Sequence, residues 1–194
     1  MPAQAVEPVS IAVLGDSIAA GYGLPQAQSF PSRLEAALKA KGRDIKMTNA
    51  GVSGDTTAGG LARLDWTLSD KPDLVIVELG ANDALRGLDP KSSEANLDAI
   101  LGKLKNSGAK ILLTGMLAPP NYGRDYGEAF KTIYARLAAK HGVPLYPFIL
   151  DGVAAEADLN QADGIHPNAK GVEVMVERIL PYVEKALDAK AGGS

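Results

Sequence analysis

Two short segments of this chain carry side chains that can combine into a nucleophilic hydrolytic site. The first is Gly15-Asp16-Ser17, which follows the apolar run Ile11-Ala12-Val13-Leu14. A serine hydroxyl is a weak nucleophile until a base takes its proton. The second segment is Asp163-Gly164-Ile165-His166, a carboxylate three residues ahead of a histidine. That spacing lets Asp163 accept from one ring nitrogen of His166 while the other nitrogen faces a serine. Serine, histidine and aspartate in these roles make a nucleophilic triad. Each residue also has a plainer reading. Ser17 after a glycine suits a helix cap or a turn, and Asp163 can serve as a capping carboxylate that binds only backbone amides.

Other residues extend the list. Asn82, in Gly80-Ala81-Asn82-Asp83, can donate its side-chain amide to a developing oxyanion or fold back into an Asx turn. Gly51 ends the second strand-like segment, which begins at Ile45. There it either lets a backbone N–H approach a substrate without a Cβ in the way or supplies a left-handed turn. His141 is the only other histidine. It closes a helical stretch before Gly142 and reads as an ordinary C-terminal partner of the helix dipole. Several rival motifs fail on detail. Position 19 is Ala, so Ser17 is not in a G-x-S-x-G elbow. Neither a P-loop nor a G-x-G-x-x-G follows the first strand. Ser107-Gly108-Ala109-Lys110 matches S-x-x-K without its companion motifs. No His-Asp-Glu cluster has metal-ligand spacing, so no metal is expected.

Elements must bring these residues together. Val9–Leu14, Ile45–Ala50, Leu74–Leu79, Lys110–Met116 and Val143–Tyr146 read as strands, and Leu74-Val75-Ile76-Val77 is continuous enough to be buried on both faces. Helical stripes lie between them: Phe30, Leu34, Ala37 and Leu38; Leu61, Leu64 and Leu68; Leu97, Ile100, Leu101 and Leu104, with Asp89 as N-cap and Pro90 first in the helix; Phe130, Ile133, Tyr134 and Leu137; and Val172, Val174, Met175, Ile179 and Val183. Trp66, beside the second stripe, reads as core or as a subunit contact. Strand–helix alternation predicts an α/β fold with a doubly wound parallel sheet. The segments after each strand then cluster at one edge of the sheet, where such folds bind ligands.

Composition sets the bounds. The chain has 194 residues, 46% hydrophobic and 22% charged, with net charge −3 and no cysteine. One domain is expected over residues 9–188, after a leader or mature N-terminal tail at 1–8 and before a flexible tail at 189–194. A weakly acidic chain gives no hint of nucleic-acid binding, which usually needs a basic face. No apolar run reaches the ~20 residues of a membrane span. The absence of cysteine excludes a thiol nucleophile, thiolate metal ligands and disulfides, and leaves the compartment open, the cytoplasm included. Ala3-Gln4-Ala5 has the small-x-small form of a signal-peptidase site.

Taken together, the four blocks Gly15-Asp16-Ser17, Asn49-Ala50-Gly51, Gly80-Ala81-Asn82-Asp83 and Asp163-Gly164-Ile165-His166 resemble the SGNH hydrolases, a branch of the GDSL esterases. Ser53-Gly54-Asp55-Thr56, Leu61-Ala62-Arg63-Leu64, Val77-Glu78-Leu79-Gly80 and Pro120-Asn121-Tyr122-Gly123 look like the bacterial thioesterase, lysophospholipase and arylesterase group within it. The resemblance implies a flavodoxin-like three-layer sandwich with a five-stranded parallel sheet. It implies ester hydrolysis with Ser17 as nucleophile, His166 as base and Asp163 as its orienting carboxylate. The oxyanion hole would be built from the N–H groups of Ser17 and Gly51 and the amide of Asn82. By analogy the loops 83–87 and 117–126 border the acyl pocket, with Ala84, Leu85, Pro120, Tyr122 and Ile165 as substrate contacts. No cofactor is implied, the partner is a small-molecule ester, and a homo-oligomer is left open. Relatives of this kind are commonly periplasmic or secreted. Two rivals stand beside this reading: a carbohydrate acetylesterase on the same fold, and a non-enzymatic module whose glycine loops bind a phosphate ligand.

Overall fold

A computed structural model describes residues 7–189. Ala3-Gln4-Ala5 and the chain beyond residue 189 lie outside the described residues. Five parallel strands form one sheet: β1 (Val9–Gly15), β2 (Ile45–Gly51), β3 (Leu74–Glu78), β4 (Lys110–Thr114) and β5 (Leu145–Tyr146), in spatial order β2-β1-β3-β4-β5. This is the flavodoxin-like order, whose switch point lies between β1 and β3. Gly15 pairs across it with Glu78, so the chain leaves both strands side by side and carries Ser17 and Asn82 to the same edge.

Eight helices cover the sheet among the described residues: α1 (Ser17–Ala20), α2 (Phe30–Ala40), α3 (Thr57–Ala62), α4 (Leu64–Leu68), α5 (Ala81–Leu85), α6 (Pro90–Ser107), α7 (Arg124–His141) and α8 (Ala169–Asp188). α2 packs on α8, and α6 packs on α7 and α3. The periodic apolar stripes are the packed faces. Phe30, Leu34 and Leu38, the Leu97–Leu104 set and the Phe130–Leu137 set are all buried in one core with the strands, α2 over β2 and α6 and α7 over β4. In α8 the stripe shifts slightly: Val174 is only partly covered and Val176 is buried instead. The expected cap of α6 is present, with Asp89 Oδ1 accepting from Lys91 N at 3.0 Å and Pro90 opening the helix.

Three expectations are corrected. The Leu61–Leu68 stripe is not one helix, because the chain breaks at Arg63, the C-cap of α3. Arg63 donates from its guanidinium to the carbonyls of Ala50 (2.6 Å) and Gly15 (2.7 Å) and pairs with Asp55, which ties the ends of β1 and β2 to the following loop. Trp66 is 64% exposed, which removes the core half of its reading and leaves the subunit contact open. β5 is two residues long rather than four. Val143 N closes the end of α7 by donating to Ala138 O, and Pro144 has no N–H to give the sheet.

Candidate active site

β1 delivers the chain into α1 through Asp16, whose Oδ1 accepts from Ile18 N at 3.0 Å. Asp16, not Ser17, is therefore the helix cap, and the Ser17 hydroxyl is left for other work. Ser17 Oγ lies 2.9 Å from His166 Nε2, joining positions 149 residues apart. On the other side of the ring, Nδ1 lies 2.7 Å from Asp163 Oδ2. A carboxylate at Nδ1 fixes the proton there, so Nε2 is the face that accepts from the serine hydroxyl.

The loop that carries His166 is fixed from within. Asp163 Oδ1 accepts from Ile165 N (2.9 Å) and His166 N (3.0 Å). The capping role and the imidazole-orienting role thus coexist, one on each carboxylate oxygen. The bonds from the His166 backbone, the His166 ring and the Ile165 backbone hold the Asp163 pKa down at about 2. Gln161 locks this loop to the turn that carries Ser17. Its amide nitrogen donates to Tyr22 O (2.7 Å) and Pro167 O (3.0 Å), and its backbone N–H donates to His166 O (2.8 Å). The Tyr22 ring packs on the His166 ring with centroids 4.6 Å apart.

Asn82 occupies the first turn of α5, just after β3. Gly80 opens that turn at φ +118, and a Cβ there would run into the Tyr134 hydroxyl, which donates to Leu79 O at 2.9 Å. The next residue, Asp83, is buried. It accepts from Thr57 N (2.8 Å), Thr57 Oγ1 (2.6 Å) and Ser93 Oγ (2.9 Å), pinning α5 to α3 and α6. The Asn82 side chain does not form an Asx turn. Its Nδ2 donates to Asp55 O at 2.9 Å and reaches Asp16 Oδ2 only at 3.4 Å, so one of its hydrogens is loosely held.

Gly51 does not fit the expected role. Its N–H donates to Asn49 Oδ1 at 2.9 Å. A Cβ there would sit 2.8 Å from the Ala19 carbonyl carbon and nearer still to Ala20 N. Gly51 is a close-packing glycine beneath α1, and its amide is already engaged. Gly54 is a glycine outside the expected set. It sits at φ +86 in the turn closed by Asp55 N to Val52 O (3.1 Å), next to the carbonyl that holds Asn82. No hydrogen bond from its N–H occurs among the described residues. The sequence signal for it was the Ser53-Gly54-Asp55-Thr56 block.

The expected substrate contacts divide. Leu85, Tyr122 and Ile165 are exposed apolar residues at this edge, and Tyr122 donates its hydroxyl to Leu85 O at 3.0 Å. Pro120 is exposed in the same short turn as Tyr122. Ala84 is 1% exposed and packs into the core, because α5 turns that face toward the sheet. His141 takes the plain role: it ends α7 with Nε2 2.7 Å from Asp98 Oδ1. A groove of about 1110 Å³ opens at the opposite edge of the sheet, lined by Val9, Ile45, Asp73 and Lys110, and contains none of the four blocks. Ser17, Asn82 and His166 stand at the other, shallower edge.

Residues 13–174 match the family described as GDSL-like lipase/acylhydrolase. An esterase of Pseudomonas aeruginosa, TesA, is 43% identical over 179 residues, which cover 92% of this chain and 89% of that protein. The thioesterase 1/protease 1/lysophospholipase L1 of Escherichia coli K12 is 42% identical over 179 residues, 90% of this chain and 85% of that protein. Among solved structures, the esterase EstA of a Pseudoalteromonas species, inhibited by monoethylphosphonate, superposes with a TM-score of 0.88 at 34% identity. That match covers 93% of this chain and all of that one.

Proposed function

The chain belongs to the GDSL-like lipase/acylhydrolase family of enzymes, and on that premise we propose that it hydrolyses carboxylic esters through an acyl-enzyme on Ser17. The observation that carries this reading is the line Ser17 Oγ–His166 Nε2–His166 Nδ1–Asp163 Oδ2, with contacts of 2.9 and 2.7 Å. Ser17 Oγ attacks the acyl carbonyl and gives its proton to His166 Nε2. Asp163 holds the imidazole and stabilises its charged form. Charge that builds on the carbonyl oxygen meets the N–H of Ser17, the loosely held amide hydrogen of Asn82 and, in place of Gly51, the N–H of Gly54. The tetrahedral species collapses, and the leaving alcohol or thiol takes the proton from Nε2. Water then repeats the sequence on the acyl-enzyme, with His166 again as base.

The substrate reading is an aryl or short-to-medium acyl ester, extending to acyl thioesters and lysophospholipids. The exposed apolar residues Leu85, Tyr122 and Ile165 support it, since they offer an acyl chain a hydrophobic surface beside the nucleophile. Hydrolysis of p-nitrophenyl esters from acetyl to long chain, with an acyl thioester and an acetylated sugar alongside, tests it. Activity that extends beyond acetyl supports the reading. Acetyl-only turnover with preference for the sugar ester supports a carbohydrate acetylesterase instead. No turnover of any ester supports a binding module.

A further inference from the structure

Beneath the nucleophile lies a second carboxyl that the triad does not use. Glu78 ends β3, is fully buried, and turns its side chain under the first turn of α1. Its Oε2 accepts from Asp16 N (3.2 Å) and Ala19 N (3.3 Å). The approach depends on Gly15, where a Cβ would lie 2.5 Å from both Glu78 Oε2 and Ala19 Cβ.

The amides of this turn are thereby divided. Helix N-termini leave their first N–H groups without helical partners. Here Asp16 N and Ala19 N go to Glu78, Ile18 N goes to Asp16 Oδ1, and Ala20 N goes to Asp16 O. Ser17 N–H alone has no partner among the described residues. Two buried carboxyls and the Asp16 carbonyl therefore take the competing donors of the turn and leave the Ser17 N–H without a partner among the described residues.

Resting on the reading of Ser17 as nucleophile, we propose that Glu78 is a positioning residue that works as a neutral acid, clamping the turn so that Ser17 N–H is its single free donor. The second oxygen, Oε1, is buried and has no partner. A carboxylate with an unpartnered buried oxygen is far more costly than the acid. The groups facing it are Asp16 from the α1 turn and the Tyr134 phenol from α7. Arg63, which reaches the adjacent Gly15 carbonyl, is paired with Asp55. Burial first, and then the Asp16 carboxyl, push the Glu78 pKa well above the ordinary carboxylate range. A neutral clamp also adds no negative charge beneath a developing oxyanion.

The test compares the full-length wild type with Glu78→Gln and Glu78→Met on p-nitrophenyl acetate, with circular dichroism confirming the fold. Gln keeps the acceptor and the neutral charge, and its kcat is expected to stay within about threefold of wild type. Met keeps the volume without the acceptor, and is expected to lose about 10- to 100-fold in kcat at unchanged KM, as a small misplacement of reacting groups does. Equal losses in Gln and Met, or a folded Met variant at the wild-type rate, overturn the proposal. If Met does not fold, Gln decides alone: retention of rate supports the neutral clamp, and a loss beyond tenfold overturns it. Phosphonate labelling of wild-type Ser17, run in parallel, separates this outcome from failure of the nucleophile assignment.

Discussion

Replacing Asp16 by Asn should stabilise the protein at neutral pH and leave it nearly unchanged at pH 4. Asp16 is fully buried, and that burial is the main force raising its pKa to about 6; Asp83 and Asp55 add to the rise, and the Ile18 amide and His166 oppose it. In the unfolded chain the group titrates near 3.8, so the native state binds the proton more tightly. The stability this proton confers is fully present below pH 3.8 and is lost as pH rises through about 6. Two units at about 1.4 kcal/mol each correspond to about 3 kcal/mol. Asn keeps an oxygen for the Ile18 amide and carries no charge at any of these pH values. The variant should therefore gain about 3 kcal/mol on wild type between pH 4 and pH 7, or roughly 6–12 °C in Tm for a chain of this size. Urea unfolding followed by far-UV circular dichroism is the assay, since the sole tryptophan, Trp66, is largely exposed and reports the core poorly. A stability difference between variant and wild type that is the same at pH 4 and pH 7 would mean instead that burial does not raise the Asp16 pKa and that the group is ionised in the folded protein at no cost.

Two further expectations concern the site. His166→Ala should abolish nearly all esterase activity while His141→Ala keeps most of it, as kcat on one ester will tell; an inactive His141→Ala enzyme would reverse the assignment. Asn82→Ala should lower kcat about 10²–10³-fold with little change in KM, because an oxyanion donor acts on the transition state. A variant with lower Tm but full activity would make Asn82 a structural strut through its bond to Asp55 O.

The strands and the amphipathic stripes could be read from the sequence because their signal is local. Leu74–Val77 is apolar throughout and is buried throughout. Boundaries moved where one residue answers to a distant demand. Arg63 interrupts the Leu61–Leu68 stripe to reach Gly15 and Ala50, and no periodicity encodes that reach. Ser17, Asp163 and His166 could be grouped from the sequence because residue type and spacing restrict their chemistry, and the fold sets their side chains in one hydrogen-bonded line. Gly51 was misread because a glycine at a strand end suits both close packing and substrate approach, and only the position of α1 over it decides. Ala84 was misread because which face of α5 turns inward depends on Asp83 reaching Thr57 and Ser93. Glu78 falls inside the Leu74–Leu79 strand read from the sequence, but nothing local gives its side chain a partner, because its amide donors come from α1 lying across the strand end.

Mass-spectrometric mapping after reaction with a serine-reactive phosphonate asks whether Ser17 is the covalent nucleophile. One adduct, on the peptide bearing Ser17, is expected. Ser17→Ala should take no label, should keep its fold, and should lose about 10⁴–10⁶-fold in kcat. A label on any other residue, or a Ser17→Ala enzyme that still turns over esters, would contradict the account.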